Sequence, residues 1–80
     1  MSYVYILKSI EYRKTYTGST NDLEKRLAEH NAGKSLFSSR YRPWELIYKE
    51  KLDTLEQARA REKYLKSASG RRFIKKMAIF

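Results

Sequence analysis

Thr15-Tyr-Thr-Gly-Ser-Thr-Asn-Asp-Leu-Glu-Lys-Arg-Leu-Ala-Glu-His-Asn-Ala-Gly33 holds two elements and the joint between them. Thr15, Tyr16 and Thr17 favour extended backbone, and Gly18 stops the run. Ser19, Thr20 and Asn21 then supply helix-start chemistry. Asn21 with Glu24 three residues later fits a capping box. The predicted helix runs from Asp22 to about Asn31, and Gly33 ends it. Its apolar stripe is Leu23 and Leu27. Arg26 and His30 are four apart and share a face beside that stripe, so both are expected at the rim of the core.

Outward toward the N-terminus, Tyr3-Val-Tyr-Ile-Leu7 is aromatic and β-branched and reads as a strand. Tyr3, Tyr5 and Leu7 share one face; Val4 and Ile6 share the other. Glu11 to Lys14 is a polar turn. The two short strands are therefore expected to form an antiparallel hairpin that brings Tyr5 and Tyr16 into one neighbourhood.

Toward the C-terminus, Lys34 to Pro43 has no clean period and reads as a loop. It interleaves the cations Lys34, Arg40 and Arg42 with Phe37 and Tyr41, a pattern suited to a nucleic-acid-facing segment. Packing of the two aromatics against the domain is the plainer alternative. Trp44 to Glu50 alternates Trp44, Leu46 and Tyr48 against Glu45, Ile47 and Lys49, the signature of a third strand. Asp53 with Glu56 makes a second capping box, opening a helix through Lys66. Ser69 starts a last helix with Phe73, Ile74, Met77 and Phe80 as its buried side. The predicted order is β-β-α-β-α-α, an α/β (α+β) domain over residues 1–80: a small three-stranded, mostly antiparallel sheet with helices packed against it.

One residue breaks the pattern. The stripe of the helix Thr54–Lys66 runs Leu55, Ala58 and Leu65, and the position that completes it is Glu62. An inward carboxylate costs free energy unless a cation or hydrogen-bond donors meet it. Broken local rules often mark functional sites. A salt bridge to Arg26 or His30 is the structural explanation; a metal ion is the functional one.

Bulk composition narrows the partners. Eighteen Lys and Arg against nine Asp and Glu give a formal charge of +9, an electrostatic footprint expected of a nucleic-acid partner. A membrane-surface role needs a basic amphipathic helix with a broad apolar face. The last helix is the only candidate, and its apolar residues are needed in the core. There is no cysteine, hence no disulfide framework or thiolate metal site. No signal peptide or membrane span is visible, so the expected location is cytoplasmic.

Tyr3-Val4-Tyr5, Tyr16-Thr17-Gly18, the run Asp22-Leu23-Glu24-Lys25-Arg26 with His30, and Glu62 in a later helix resemble the GIY-YIG nuclease superfamily. The likeness covers nearly the whole chain and is closest to the small single-domain members. It implies a divalent-metal-dependent phosphodiesterase acting on DNA, in a family that includes homing endonucleases, restriction enzymes and the excision-repair incision subunit. By this resemblance Glu62 matches the metal-binding glutamate and Arg26 the arginine at the scissile phosphate. Tyr5 and Tyr16 match the paired tyrosines, and His30 a histidine found in part of the family. The implied cofactor is a single Mg²⁺ or Mn²⁺, and the implied partner is DNA, branched or damaged forms included, with RNA left open. The residue chemistry agrees. A hard carboxylate suits Mg²⁺, a guanidinium fork suits phosphate oxygens, and Tyr5, Tyr16 and His30 are three candidate bases. Gly18 allows a close approach at the end of the second strand.

The chain departs from the family pattern in three places. Tyr3 replaces the first glycine, Thr17 stands where an aliphatic is usual, and no asparagine follows Asn31. No separate DNA-recognition domain is read in these residues. The competing function, from a different class, is a nucleic-acid-binding module without catalysis.

Overall fold

The computed structural model describes residues 1–34 and 37–78. The elements follow the predicted order: β1 (Ser2–Ser9), β2 (Thr15–Thr20), α1 (Leu23–Asn31), β3 (Trp44–Leu52), α2 (Leu55–Leu65) and α3 (Ala68–Ala78). The fold is α+β, built on a three-stranded antiparallel sheet of order β2-β1-β3. β1 is central because it is apolar on both faces. Val4, Tyr5, Ile6 and Leu7 are all buried, and such a run needs cover above and below.

The alternation along β1 divides the core in two. Val4 and Ile6 pack with Leu65 and Ile74 beneath α2 and α3. Tyr5 and Leu7 pack with Trp44, joined by Tyr16, Leu23 and Leu27 under α1. The hairpin register pairs Tyr5 with Gly18 and Leu7 with Tyr16. Tyr16 is therefore the diagonal neighbour of Tyr5 on the same face, as expected.

The third strand departs from simple alternation. Ile6 pairs with Tyr48 but Leu7 pairs with Leu46, so Ile47 is an extra residue in the ladder, a β-bulge. The bulge inverts the facing. Trp44 and Leu46 join the Tyr5 side, whereas Ile47, Tyr48 and Leu52 join the Val4 side. The expectation that Trp44, Leu46 and Tyr48 share a face is thereby corrected.

Both capping assignments also shift by one residue. Asp22, not Asn21, caps α1, accepting from the Lys25 backbone N–H. The freed Asn21 side chain accepts instead from the Ser2 hydroxyl at 2.5 Å. Thr54, not Asp53, caps α2, accepting from the Gln57 N–H, and Gln57 reaches back to the Asp53 N–H. In each case the neighbour one residue along has equally suitable oxygen chemistry. Gly33 ends α1 with φ +80, a conformation glycine adopts without strain.

The loop expected from Lys34 to Pro43 contains a 3-10 turn at Ser38–Tyr41. On α3, Ile74 and Ala78 are buried, while Phe73 is exposed and packs edge-on to Tyr48. The expected buried face is thus rotated away from Phe73; Phe80 lies outside the described residues. No described helix is long and apolar enough to cross a membrane.

Candidate active site

Four of the five polar residues singled out in the sequence gather on the α1 side of the sheet. The Tyr5 and Tyr16 rings stack at 6.3 Å between centroids. His30 sits 4.5 Å from Tyr16 and 6.0 Å from Tyr5, centroid to centroid. Its Nε2 is 3.0 Å from the Tyr5 hydroxyl and its Nδ1 is 2.6 Å from the Ser38 hydroxyl. The Arg26 guanidinium lies against the phenols of Tyr5 and Tyr16 and pairs with Glu29 at 3.2 Å.

His30 is not at the rim of the core. It is 0% exposed, because the 3-10 turn folds over it. Ser38, which the sequence did not single out, is buried against it and is fixed in turn by Trp44, whose indole N–H donates to the Ser38 carbonyl at 2.8 Å. The Asn31 side chain bonds both backbone groups of Trp44, locking the end of α1 to the start of β3. Ser38 carries no sequence signal, since a serine in a loop is ordinary. Asn31 was noted only as a helix end.

The electrostatics assign protons. Burial pushes the Tyr5 phenol up to about 12, against the pull of the Arg26 bond. Proximity to Arg26 alone suggests a phenolate, but loss of solvation outweighs it. Burial, with the Arg26 charge, pushes His30 below its ordinary value, so the imidazole is neutral at pH 7. Arg26 has only donors, so the Tyr5 oxygen accepts from it and the Tyr5 proton is left for His30 Nε2. Nδ1–H then donates to Ser38, a tautomer assigned from this network. Burial works against the charge on Arg26 too, and its bonds to Tyr5 and Glu29 outweigh that.

Glu62 stands on the other face of the sheet, on α2, against β2. Ser19 donates to its Oε1 at 2.6 Å, and Lys66 one turn along donates to Oε2 at 2.7 Å. The cation it meets is therefore Lys66, not Arg26 or His30. Glu62 and Lys66 are four apart on one helix, the spacing at which opposite charges meet. β2 is an edge strand. Across it, the Glu62 charge still reaches the Tyr5 phenol and disfavours its ionisation. A groove of about 370 Å³ along that edge touches both sides, lined by Tyr16 and Phe37 at one end and Lys66 at the other.

Gly18 is where the two sides come closest. A Cβ there would sit 2.5 Å from the Tyr5 hydroxyl and 3.0 Å from the Tyr16 ring. The groups packed closely against Gly18 are these phenols. Lys34, Arg40 and Arg42 are all exposed around the 3-10 turn. The Arg42 guanidinium lies over Gly33, and among the described residues none of the three forms an ion pair.

No three acidic, histidine or cysteine side chains gather among the described residues. The donor chemistry at Glu62 is one carboxylate with a serine hydroxyl beside it. That suits a hard cation retaining most of its water, not a zinc site built from three or four protein ligands. The carboxylate already holds a cation, the ammonium of a side chain more than half exposed.

Paired phenols on two hairpin strands, an arginine and histidine on the following helix, and a glutamate across the edge strand define a recognisable class. The model of the GIY-YIG catalytic domain matches residues 1–77, and the chain belongs to the GIY-YIG nuclease superfamily as a small member. It is 44% identical over 71 residues to a UPF0213 protein of Streptococcus pyogenes serotype M3, covering 88% of this chain and 76% of that one. A UPF0213 protein of serotype M1 is similar to the same extent. No solved structure matches the chain.

Proposed function

We propose that the protein is a divalent-metal-dependent endonuclease that hydrolyses DNA phosphodiester bonds, with Tyr5, Tyr16, Arg26, His30 and Glu62 as its site. One observation carries this reading: the guanidinium and two phenols of Arg26, Tyr5 and Tyr16 converge on one side of an edge strand whose other side holds the Glu62 carboxylate, close enough for its charge to act on the Tyr5 phenol.

The residues divide the work. Glu62, aided by Ser19, would hold Mg²⁺ or Mn²⁺ in exchange for the Lys66 ammonium. Such an ion supplies charge stabilisation at the phosphate and the leaving oxygen. Arg26 presents a fixed fork of donors to the non-bridging phosphate oxygens, where negative charge builds up. Tyr16 lines the groove and orients the attacking water. Tyr5 is protonated at neutral pH, so it accepts the water's proton only as it passes its own to His30 Nε2. The neutral imidazole is ready to receive it. Lys34, Arg40 and Arg42 hold the flanking backbone by charge. A single small site nicks one strand at a time.

The test compares the intact protein with Glu62→Gln on labelled single-stranded, duplex and branched DNA, with Mg²⁺, Mn²⁺ or chelator. Metal-dependent cleavage that Glu62→Gln abolishes while binding survives is the expected result. Binding without cleavage of any substrate by the intact protein would overturn the reading in favour of a recruiting module.

A further inference from the structure

Among the described residues, the cations around the 3-10 turn are joined by others without an ion-pair partner. The outer edge of β2 is unpaired in the sheet, and residues of β2 and α3 line the same hollows. Between them two hollows, of about 370 and 280 Å³, share Thr15, Arg71 and Ile74 and so form one continuous groove. The larger hollow reaches Tyr16 and Lys66, beside the candidate site, and the smaller one adds Lys75. Ile74, 7% exposed, floors it. No acidic residue lines either hollow.

Arg71 and Lys75 are four apart on one face of α3, roughly 6 Å along its axis. Both are exposed. The ion pairs among the described residues are Arg26–Glu29, Arg61–Glu50 and Lys66–Glu62, so neither cation has an acidic partner there. Thr15, and in the larger hollow Tyr16 and Thr17, line the same groove from β2, an edge strand, and a strand edge presents unpaired backbone N–H groups. Two cations together with neutral hydrogen-bond donors in one groove suit a chain of phosphates. Leu65 and Ile74 are buried, which leaves Phe37 as the exposed apolar side chain in the groove, too little apolar surface for a lipid bilayer.

We propose that this groove holds the sugar-phosphate backbone of the nucleic acid, with Arg71 and Lys75 contacting successive phosphates on one side of the bond to be cut. The strand then runs along the edge of β2, and the candidate site stands at one end of its track. The identity of the polymer rests on the nuclease reading; the path of the strand does not need cleavage.

Binding of fluorescently labelled single-stranded and duplex DNA, followed by anisotropy across a salt series in chelator, tests it. Three proteins are compared: the intact chain, R71A/K75A, and the charge-matched R59A/K63A on the exposed side of α2. Alanine at these exposed positions favours helix, and thermal melts check that all three fold. R71A/K75A is expected to weaken binding about tenfold and to lower the slope of log K against log salt by about 1.4 on single strands and about 1.8 on duplex. R59A/K63A should change both much less. Equal effects of the two double variants would overturn the proposal while leaving the nuclease reading intact. A selective loss in R71A/K75A from a protein that never cuts DNA would keep this proposal and sink the other. Absence of DNA binding by the intact chain would end both.

Discussion

The hydroxyl of Ser19, on the edge strand, donates to Oε1 of Glu62 on α2 at 2.6 Å. That bond fixes the carboxylate against β2, so its position does not depend on the more exposed Lys66. Glu62→Gln preserves an oxygen that can accept from Ser19 and loses only the pairing with an exposed ammonium, which contributes about 1 kcal/mol or less. The variant should therefore melt within a few degrees of the parent while losing metal-dependent cleavage. A large drop in Tm would instead make Glu62 a structural residue.

Lys66 occupies the carboxylate oxygen that a divalent ion would use. Lys66→Ala should lower the Mn²⁺ concentration needed for half-saturation several-fold, read by calorimetry or by the paramagnetic signal of bound Mn²⁺ with no DNA present. An unchanged or raised requirement would show that the ammonium and the ion do not compete.

His30 makes stability depend on pH with a definite sign. Burial holds its folded value below the ordinary 6.5, so the unfolded chain takes up the proton first as pH falls. The contribution is fully present above about 6.5 and is lost as pH drops from there through the folded value. Urea melts between pH 8 and pH 5 should show that decline, and His30→Gln should flatten it. A decline of equal slope in His30→Gln would assign it to other groups.

Gly18→Ala places a methyl 2.5 Å from the Tyr5 hydroxyl. The phenol cannot swing aside without leaving His30 and Arg26, so the substitution should destabilise by about 1–3 kcal/mol. Combining it with Tyr5→Phe removes the nearest atom and should give less than the sum of the two single effects. Strict additivity in denaturant melts would mean that the phenol and Gly18 are independent.

The sequence carried the element order, the shared face of Tyr5 and Tyr16, and the oddity of Glu62, because each rests on period-2 or period-3.6 patterning that the fold obeys. The caps were displaced by one residue because Asn21-Asp22 and Asp53-Thr54 are adjacent residues of equal capping chemistry. Helical spacing points His30 to the rim because it reports direction on α1 alone. Its burial comes from the 3-10 turn at Ser38, whose partners His30 and Trp44 are distant in sequence or uninformative in type. The cation at Glu62 stands four residues further along the same helix, and the pattern of the stripe alone does not rank it against a cation brought in by the fold.

The bulge at Ile47 gives β3 a change of phase partway along its length. Before it, the strand supplies Trp44 to the wall behind Ser38 and His30; after it, the strand supplies Tyr48 and Leu52 to the core beneath α2 and α3. One inserted residue thus serves two clients that an unbroken strand would set against each other. Deleting a single residue here would not shorten a loop. It would turn either the indole or the Tyr48–Leu52 pair outward, trading the backing of the phenol–imidazole cluster against the packing of the helices.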